Sequence, residues 1–336
     1  MLVTKQTVLK QFWYPVITLE NLLKSPQAFE LLGQKIVLWL TADGQPAAIA
    51  DRCCHRTAQL SKGQVIEGNI CCPYHGWQYN AGGICVEVPQ LKDSPIPSSY
   101  RIPSYHCTER YGYVWVALSD PLAPIPEIPE ASEEHFRYIP EFYERWECSG
   151  LRFMENEFDN AHFSFVHQGT FGNCKQPEPA SVDIVELEYG IHVKTAYPVI
   201  NPPLQQKNLK ISQETTLRTN ELIWFMPFSR ILYIRYPNGL VHAIFSAMTP
   251  INDSASQLIQ FCFRNDTEAD TPARDIIAFD RAVTLEDKAI LETTDYDVPL
   301  VLSKEQHMAS DKPGLIMRHK LAALLKKYAE IEQCRI

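Results

Sequence analysis

No run in this sequence approaches the ~20 apolar residues that a membrane span requires, and the opening stretch MLVTKQTVLKQFWYPV lacks the apolar centre of a signal peptide. The expectation is a cytoplasmic protein with no membrane partner. Basic charge is scarce: 31 Lys and Arg stand against 40 Asp and Glu, a net charge of −9, and no Lys/Arg stripe gathers on any segment. Phosphate recognition needs a basic surface, so nucleic acid is excluded as a partner. No G-x-G-x-x-G follows a strand pattern, which leaves the chain without an evident nucleotide-binding reductase domain. Internal repeats and low-complexity tracts are also missing. At 336 residues, 45% hydrophobic and 21% charged, the chain suits roughly two globular domains with cores of their own.

Cysteine is the residue type in good supply, with ten in the chain. A disulfide framework fits small secreted proteins, and this chain is large with no export signal, so metal ligation by a few and burial of the rest is expected. Cys148, Cys174, Cys262 and Cys334 stand alone and read as small buried hydrophobes or surface thiols.

Between 36 and 118 the segments KIVLWLT, PAAIAD, GWQYNAGGICVEV and YGYVWVALS read as short strands broken by turns, a small antiparallel β domain. DPLAPIPEIPEASEE, residues 120–134, is a Pro-rich acidic linker. Beyond it RFMENEFDNAHFSFVHQG reads as helix and then irregular chain, and DIVELEYGIHVKTAY alternates like one strand. LIWFMPFS, ILYIRYP, LVHAIFSAMTPI and SQLIQFCFRND add strand candidates. ARDIIAFDRAVTLEDKAILETT and PGLIMRHKLAALLKKYAEIEQ carry apolar residues at helical spacing. Strands followed by long helices give an α+β fold, divided as 1–120 and 121–336.

The stretch RCCHRTAQLSKGQVIEGNICCPYHGWQY concentrates chemistry. Its pairs Cys53-x-His55 and Cys72-x-x-His75 each sit where a turn is expected, so two side chains of each can converge. Two Cys and two His could hold zinc, or a two-iron, two-sulfide cluster with two Cys on one iron and two His on the other. Zinc modules group like with like, whereas here each turn carries one of each, which favours the cluster. Pro73 stiffens the second loop, and Gly76-Trp77 fits a tight turn with an aromatic cover. CPYHGW resembles the Rieske motif of the Rieske non-haem iron oxygenases. That resemblance makes Cys53, His55, Cys72 and His75 the ligands of a [2Fe-2S] cluster and Cys54 and Cys71 bystanders, with Cys54 where the family commonly has proline. Ala58 and Tyr74 stand where high-potential Rieske proteins carry extra loop cysteines, so a lower-potential cluster is implied.

A second constellation lies in ENEFDNAHFSFVH. On a helix Asp159 and His162 would share a face, while His167, five residues on, would sit well round it unless the chain tightens, bulges or leaves the helix. Two imidazoles and a carboxylate can hold Fe(II) and leave positions open, but Glu155, Glu157 and Asp159 all compete locally for the carboxylate role. Asn156-x-x-Asp159-x-x-His162-x4-His167 resembles the mononuclear iron motif of the same oxygenases. By that resemblance the third ligand comes from a late helix: TLEDKAILETT places Asp287 at the ligand position and Glu292 at the acidic position after it. Asp159 then has the catalytic role of bridging an iron-ligating His to a cluster-ligating His. Glu286, Asp295 and Asp297 read as solvated helix charges, His192 and His242 as structural, and Trp146, Phe158, Phe163 and Phe165 as core.

The resemblance runs from FWYPV through RYGYVWV to the C-terminal helix and is strongest to oxygenase subunits of the vanillate O-demethylase, dicamba demethylase and methylxanthine N-demethylase kind. It implies a helix-grip-like catalytic domain and a monooxygenase or dioxygenase. Such an enzyme uses O2 and electrons from a separate reductase or ferredoxin to hydroxylate or demethylate a small aromatic or heterocyclic substrate. It also implies a homotrimer in which one chain's cluster serves a neighbour's iron. The rival is an electron-transfer Rieske protein or a metal-stabilised binding protein without such chemistry. Phe225, Phe228, Leu232, Tyr233, Ile244 and Phe261 are the candidates for the substrate cavity.

Overall fold

The computed structural model describes residues 1–335 except 92, 93, 179, 204, 205, 208–210 and 237, the last of which ends the ILYIRYP strand candidate. It divides into two compact units. One comprises Thr7–Ile125 with Pro250–Asp253; the other comprises Met1–Gln6, Pro126–Thr249 and Ser254–Ile336.

The first unit holds β1 (Tyr14–Thr18), helix α1 (Leu19–Lys24), β2 (Gln27–Leu31), β3 (Gln34–Leu40), β4 (Pro46–Ala50), β5 (Gln64–Ile66), β6 (Asn69–Cys71), β7 (Gln78–Tyr79), β8 (Cys85–Glu87), β9 (Ser104–Arg110) and β10 (Tyr113–Ala117). A six-stranded sheet runs β1-β10-β9-β4-β3-β2 and a four-stranded sheet β5-β6-β7-β8. Two-residue turns with both residues at positive φ close the hairpins: Leu32-Gly33, Glu67-Gly68 and Tyr111-Gly112. Their mirror-image geometry matches strand twist and requires positive φ twice. At Gly68 a Cβ would also stand 2.3 Å from the Ala42 nitrogen, so glycine is needed there for space as well. The core includes Val37, Trp39, Ile49, Ile70, Trp77 and Tyr79, and Cys53 and Cys72 belong to it.

The second unit is built on β11 (Arg137–Trp146), α2 (Gly150–Phe158), α3 (Phe163–Val166), β12 (Ser181–Leu187), β13 (Gly190–Ile200), β14 (Thr215–Phe225), β15 (Ser229–Arg235), β16 (Val241–Pro250), β17 (Ser256–Arg264), α4 (Ala273–Leu291) and α5 (Lys312–Lys327). Its antiparallel sheet is ordered β11-β17-β16-β15-β14-β13-β12. DIVELEYGIHVKTAY is a hairpin rather than one strand, because Leu187 pairs with Gly190 and the chain reverses at Glu188-Tyr189. β11 escaped the sequence reading; Pro140 sits at a register shift that breaks its alternation. The α+β expectation holds. On α4 the cavity-lining residues Ile276, Asp280, Val283, Thr284 and Asp287 follow helical spacing and so share one face, which covers one side of the sheet. Among the described residues no helix is long and apolar enough to cross a membrane.

Candidate metal centres

The two Cys/His loops of the first unit close in the same way. Thr57 N donates to Cys53 O (3.0 Å) and Cys53 N to Ala58 O (2.9 Å); Gly76 N donates to Cys72 O (3.1 Å) and Cys72 N to Trp77 O (2.8 Å). Each loop turns on one positive-φ residue, Thr57 or Gly76. Cys53 and Cys72 point inward at 2% exposure, whereas Cys54 is exposed. Cys71 is buried in β6, with its thiol 3.8 Å from the Cys72 carbonyl. The His55 and His75 rings lie 4.5 Å apart, with Trp77 stacked on His55 at 4.6 Å and Gln90 donating to His75 O at 2.9 Å. Tyr79 Oη stands 3.1 Å from Cys53 Sγ and 3.3 Å from Cys54 Sγ, a contact the sequence did not announce.

Two observations test what this pocket can hold. His55 Nδ1 is buried without a hydrogen-bond partner, so something other than protein must complete it. Ligand atoms of three or more metal-binding side chains come within 4.8 Å of one another at two places among the described residues, and these four residues are at neither. A single tetrahedral ion would need them roughly 3–4 Å apart. A cluster with two irons spread by sulfides does not, so the donor set fits the cluster and argues against zinc.

The second centre is held within the other unit. α2 starts on a cap, Ser149 Oγ accepting from Arg152 N, and ends at Phe158, so Asp159 and His162 do not share a helix face as the spacing suggested. Asp159 instead takes an extended conformation and its Oδ1 accepts from Ala161 N at 2.7 Å. His162 and His167 then bracket the single turn of α3, which brings their Nε2 atoms to 3.2 Å. Asp287 Oδ1, from α4, lies 3.4 Å from each. Three donors about 2.1 Å from one ion and roughly at right angles to one another stand about 3.0 Å apart. The triangle formed here is close to that, and its two imidazoles and carboxylate suit Fe(II).

Neighbouring groups fix these side chains. His167 Nδ1 lies 2.9 Å from Glu286 Oε2, which also accepts from Thr170 Oγ1 at 2.8 Å, so the proton is held at Nδ1 and Nε2 presents a lone pair. Glu286 is therefore no solvated helix charge; α4 turns it against His167. Asp297 is not one either, since it pairs with the N-terminal ammonium at 2.5 Å, while Asp295 is exposed as expected. Asn156 Nδ2 donates to Asp287 Oδ1 at 3.0 Å. His162 Nδ1 is 3.6 Å from Asp159 Oδ2, beyond hydrogen-bonding distance. Burial opposes charge on His162, but Asp159 and Asp287 outweigh it and hold its pKa at about 9.

The three donors open on a cavity with room of about 130 Å³ for water-molecule centres. Leu232 and Ile244 line it as expected, but Phe225, Phe228, Tyr233 and Phe261 do not. Strand parity explains most of this. Tyr233 and Phe261 alternate with the lining residues Leu232, Ile234 and Gln260 and so belong to the opposite face. Phe228 is buried where a Cβ on Gly150 would meet its ring at 3.0 Å. Phe158 and Phe163 line the cavity instead of serving only as core; Trp146 is fully buried and Phe165 is exposed. His192 is structural, 2.6 Å from Glu221, but His242 is a wall residue of the cavity.

A family profile described as "Rieske [2Fe-2S] domain" matches residues 12–106, and one described as "Vanillate O-demethylase oxygenase C-terminal domain" matches residues 146–327. This chain belongs to the Rieske oxygenases of the vanillate O-demethylase type. The methylxanthine N1-demethylase NdmA of Pseudomonas putida is 29% identical over 335 residues, spanning 97% of this chain and 92% of that protein. The NdmA structure with caffeine superposes at a TM-score of 0.85, with 27% identity and coverage of 97% and 94%. Dicamba monooxygenase bound to dicamba, at 22% identity, 96% and 98% coverage and a TM-score of 0.81, shares the fold. Membership makes this oxygenase an oxidoreductase acting with O2, equipped with a [2Fe-2S] cluster and a mononuclear iron, and sets aside the bare electron carrier.

Proposed function

We propose that this oxygenase hydroxylates or demethylates a small aromatic or heterocyclic molecule beside an iron ligated by His162, His167 and Asp287. Cys53, His55, Cys72 and His75 hold the cluster that supplies it with electrons. The observation that carries this reading is the triangle of His162 Nε2, His167 Nε2 and Asp287 Oδ1, with sides of 3.2 and 3.4 Å, opening on the cavity. An N-methyl substrate has support from the N1-demethylase relative. Electron carriage falls to residues 1–120 and the chemistry to residues 121–336. A separate reductase or ferredoxin as donor, a homotrimer and a cytoplasmic location complete the proposal.

When bound, the iron activates O2 and the cluster delivers electrons singly. The protein's own part is positioning and exclusion. Glu286 keeps the His167 proton away from the donor atom, and Asn156 holds the Asp287 carboxylate in place. Asp159, tied by the Ala161 amide, keeps a carboxylate oxygen 3.6 Å from His162 Nδ1. Phe158, Phe163, Leu232 and Ile244 give the cavity apolar walls that exclude bulk water once a substrate fills it. Oxygen uptake screened against N-methyl heterocycles and aromatic methyl ethers tests the proposal. Uptake with formaldehyde release in the intact protein, lost in Asp287→Ala with cluster absorbance retained, is the expected result; uptake unchanged in Asp287→Ala would remove the iron assignment.

A further inference from the structure

β14 directs Arg218, Asn220 and Leu222 to the cavity by strict alternation, so a guanidinium stands among residues facing the reaction space. Arg218 is 6% exposed, and among the described residues no carboxylate lies within 4.0 Å of it. Its Nη2 is buried with no hydrogen-bond partner. The rings of Phe171 and Tyr236 cover the guanidinium, at 5.3 and 5.5 Å from its central carbon. Rings attract a cation through their faces and make no bond to its in-plane N–H groups; the Tyr197 hydroxyl is the polar neighbour of the guanidinium, and Nη2 is left without a partner. The other arginines of this wall are paired: Arg230 with Glu157 at 2.7 Å and Arg264 with Asp266 at 2.6 Å. Asn220 repeats the pattern on a smaller scale, its Nδ2 donating to Tyr197 Oη at 2.6 Å while its Oδ1 is buried without a partner. A buried donor and a buried acceptor, two residues apart on one strand and both uncompleted, mark a place where a polar ligand finishes the hydrogen bonding.

We propose that Arg218 anchors a carboxylate on the substrate of this oxygenase. A buried cation without a counter-ion is costly to a fold, and a ligand anion removes that cost. The guanidinium fork matches a planar carboxylate through two parallel N–H···O bonds, and the flanking rings limit the plane in which it can approach. Asp280 of α4, which lines the cavity, and Glu141 of β11 do not serve as the counter-ion. Neither lies within 4.0 Å of Arg218; burial raises the pKa of each, and at Asp280 the neighbouring Glu141 raises it further, so both disfavour the charge a counter-ion needs. With His242 and Cys262 these two could outline a cation site, but His242 lies in the field of Arg264, Arg218, Arg230 and Arg137, which disfavours a further cation there. The assignment of this acid as the molecule oxidised rests on the oxygenase reading; the binding of the acid does not.

The test measures binding, without turnover, to the full-length metal-loaded protein. Calorimetric titration is run with acid and amide pairs of matched shape: benzoate and benzamide, 4-methoxybenzoate and 4-methoxybenzamide, indole-3-acetate and indole-3-acetamide. At least one acid is expected to bind tenfold or more tighter than its amide, with the preference lost in Arg218→Met and reduced in Arg218→Lys. No acid preference in any pair, or a preference undiminished in Arg218→Met, overturns the proposal. If Arg218→Met does not fold, Arg218 is structural in part and Arg218→Lys decides: it must fold and show a weakened acid preference. Acid binding with no oxygen uptake would count against the oxygenase reading alone.

Discussion

A histidine that ligates a metal needs one nitrogen bare and the other tied. At His167 the tie is Glu286, whose Oε2 receives both the ring and the Thr170 hydroxyl. Glu286→Ala should therefore weaken iron binding by about 10–100-fold while leaving the visible absorption of the cluster intact. Iron content after dialysis against a graded chelator measures this, and iron retained as in the parent would show that the tie is dispensable. At the other centre, orientation separates neighbours of the same type. Cys53 and Cys72 point into the core, Cys54 is exposed and Cys71 lies within β6. Cys54→Ser and Cys71→Ser are expected to keep the cluster spectrum, and Cys53→Ser and Cys72→Ser to lose it. A bleached Cys54→Ser protein beside a coloured Cys53→Ser protein would exchange the two roles.

Elements decide what a sequence can announce. The Cys/His pairs were legible because each loop brings its ligands together over a few residues, and the long helices because their period persists for several turns. His162 and His167 were legible as residues but not as geometry, since the break after Phe158 that aligns them depends on Asp159 leaving the helix. Glu286 was misread because adjacent residues on a helix point about 100° apart, and only the docking of α4 shows that His167 meets Glu286 and Asp287 together. The cavity was legible only at Leu232 and Ile244: the strand read as LIWFMPFS begins at Leu222 and so left out Arg218 and Asn220, and which parity faces α4 is set by tertiary packing. That packing has its own clamp. Arg318 of α5, 2% exposed, pairs with Glu155 of α2 and with Glu305, and donates to Pro299 O at 2.8 Å. Arg318→Met leaves Glu155 and Glu305 with Arg152, 2.8 Å from each, as their remaining cation and should cost about 1.5–3 kcal/mol, read as a lower midpoint in chemical denaturation. An unchanged midpoint would show that the clamp carries no net stability.

At the scale of the whole molecule the two centres make different demands on the assembly. Each chain should carry about three irons and two acid-labile sulfides, and each centre should be removable without the other because the proposed ligands lie in separate units. That independence makes the proposed trimer testable. A closed head-to-tail ring uses a heterologous contact that returns on itself, so in such a ring every chain can give electrons to one neighbour and receive them from the other. Cys53→Ser is expected to remove the cluster from one chain and Asp287→Ala the iron from another, and each variant alone should be inactive. Coexpressed under two affinity tags and purified through both, mixed trimers are expected to regain part of the parent's oxygen uptake, since a chain with a cluster can then serve a chain with an iron. Transfer confined to one chain predicts no recovery, because no chain in the mixture holds both centres. Trimers shown by mass to be mixed and found inactive would end the cross-chain route and leave both ligand sets as they stand.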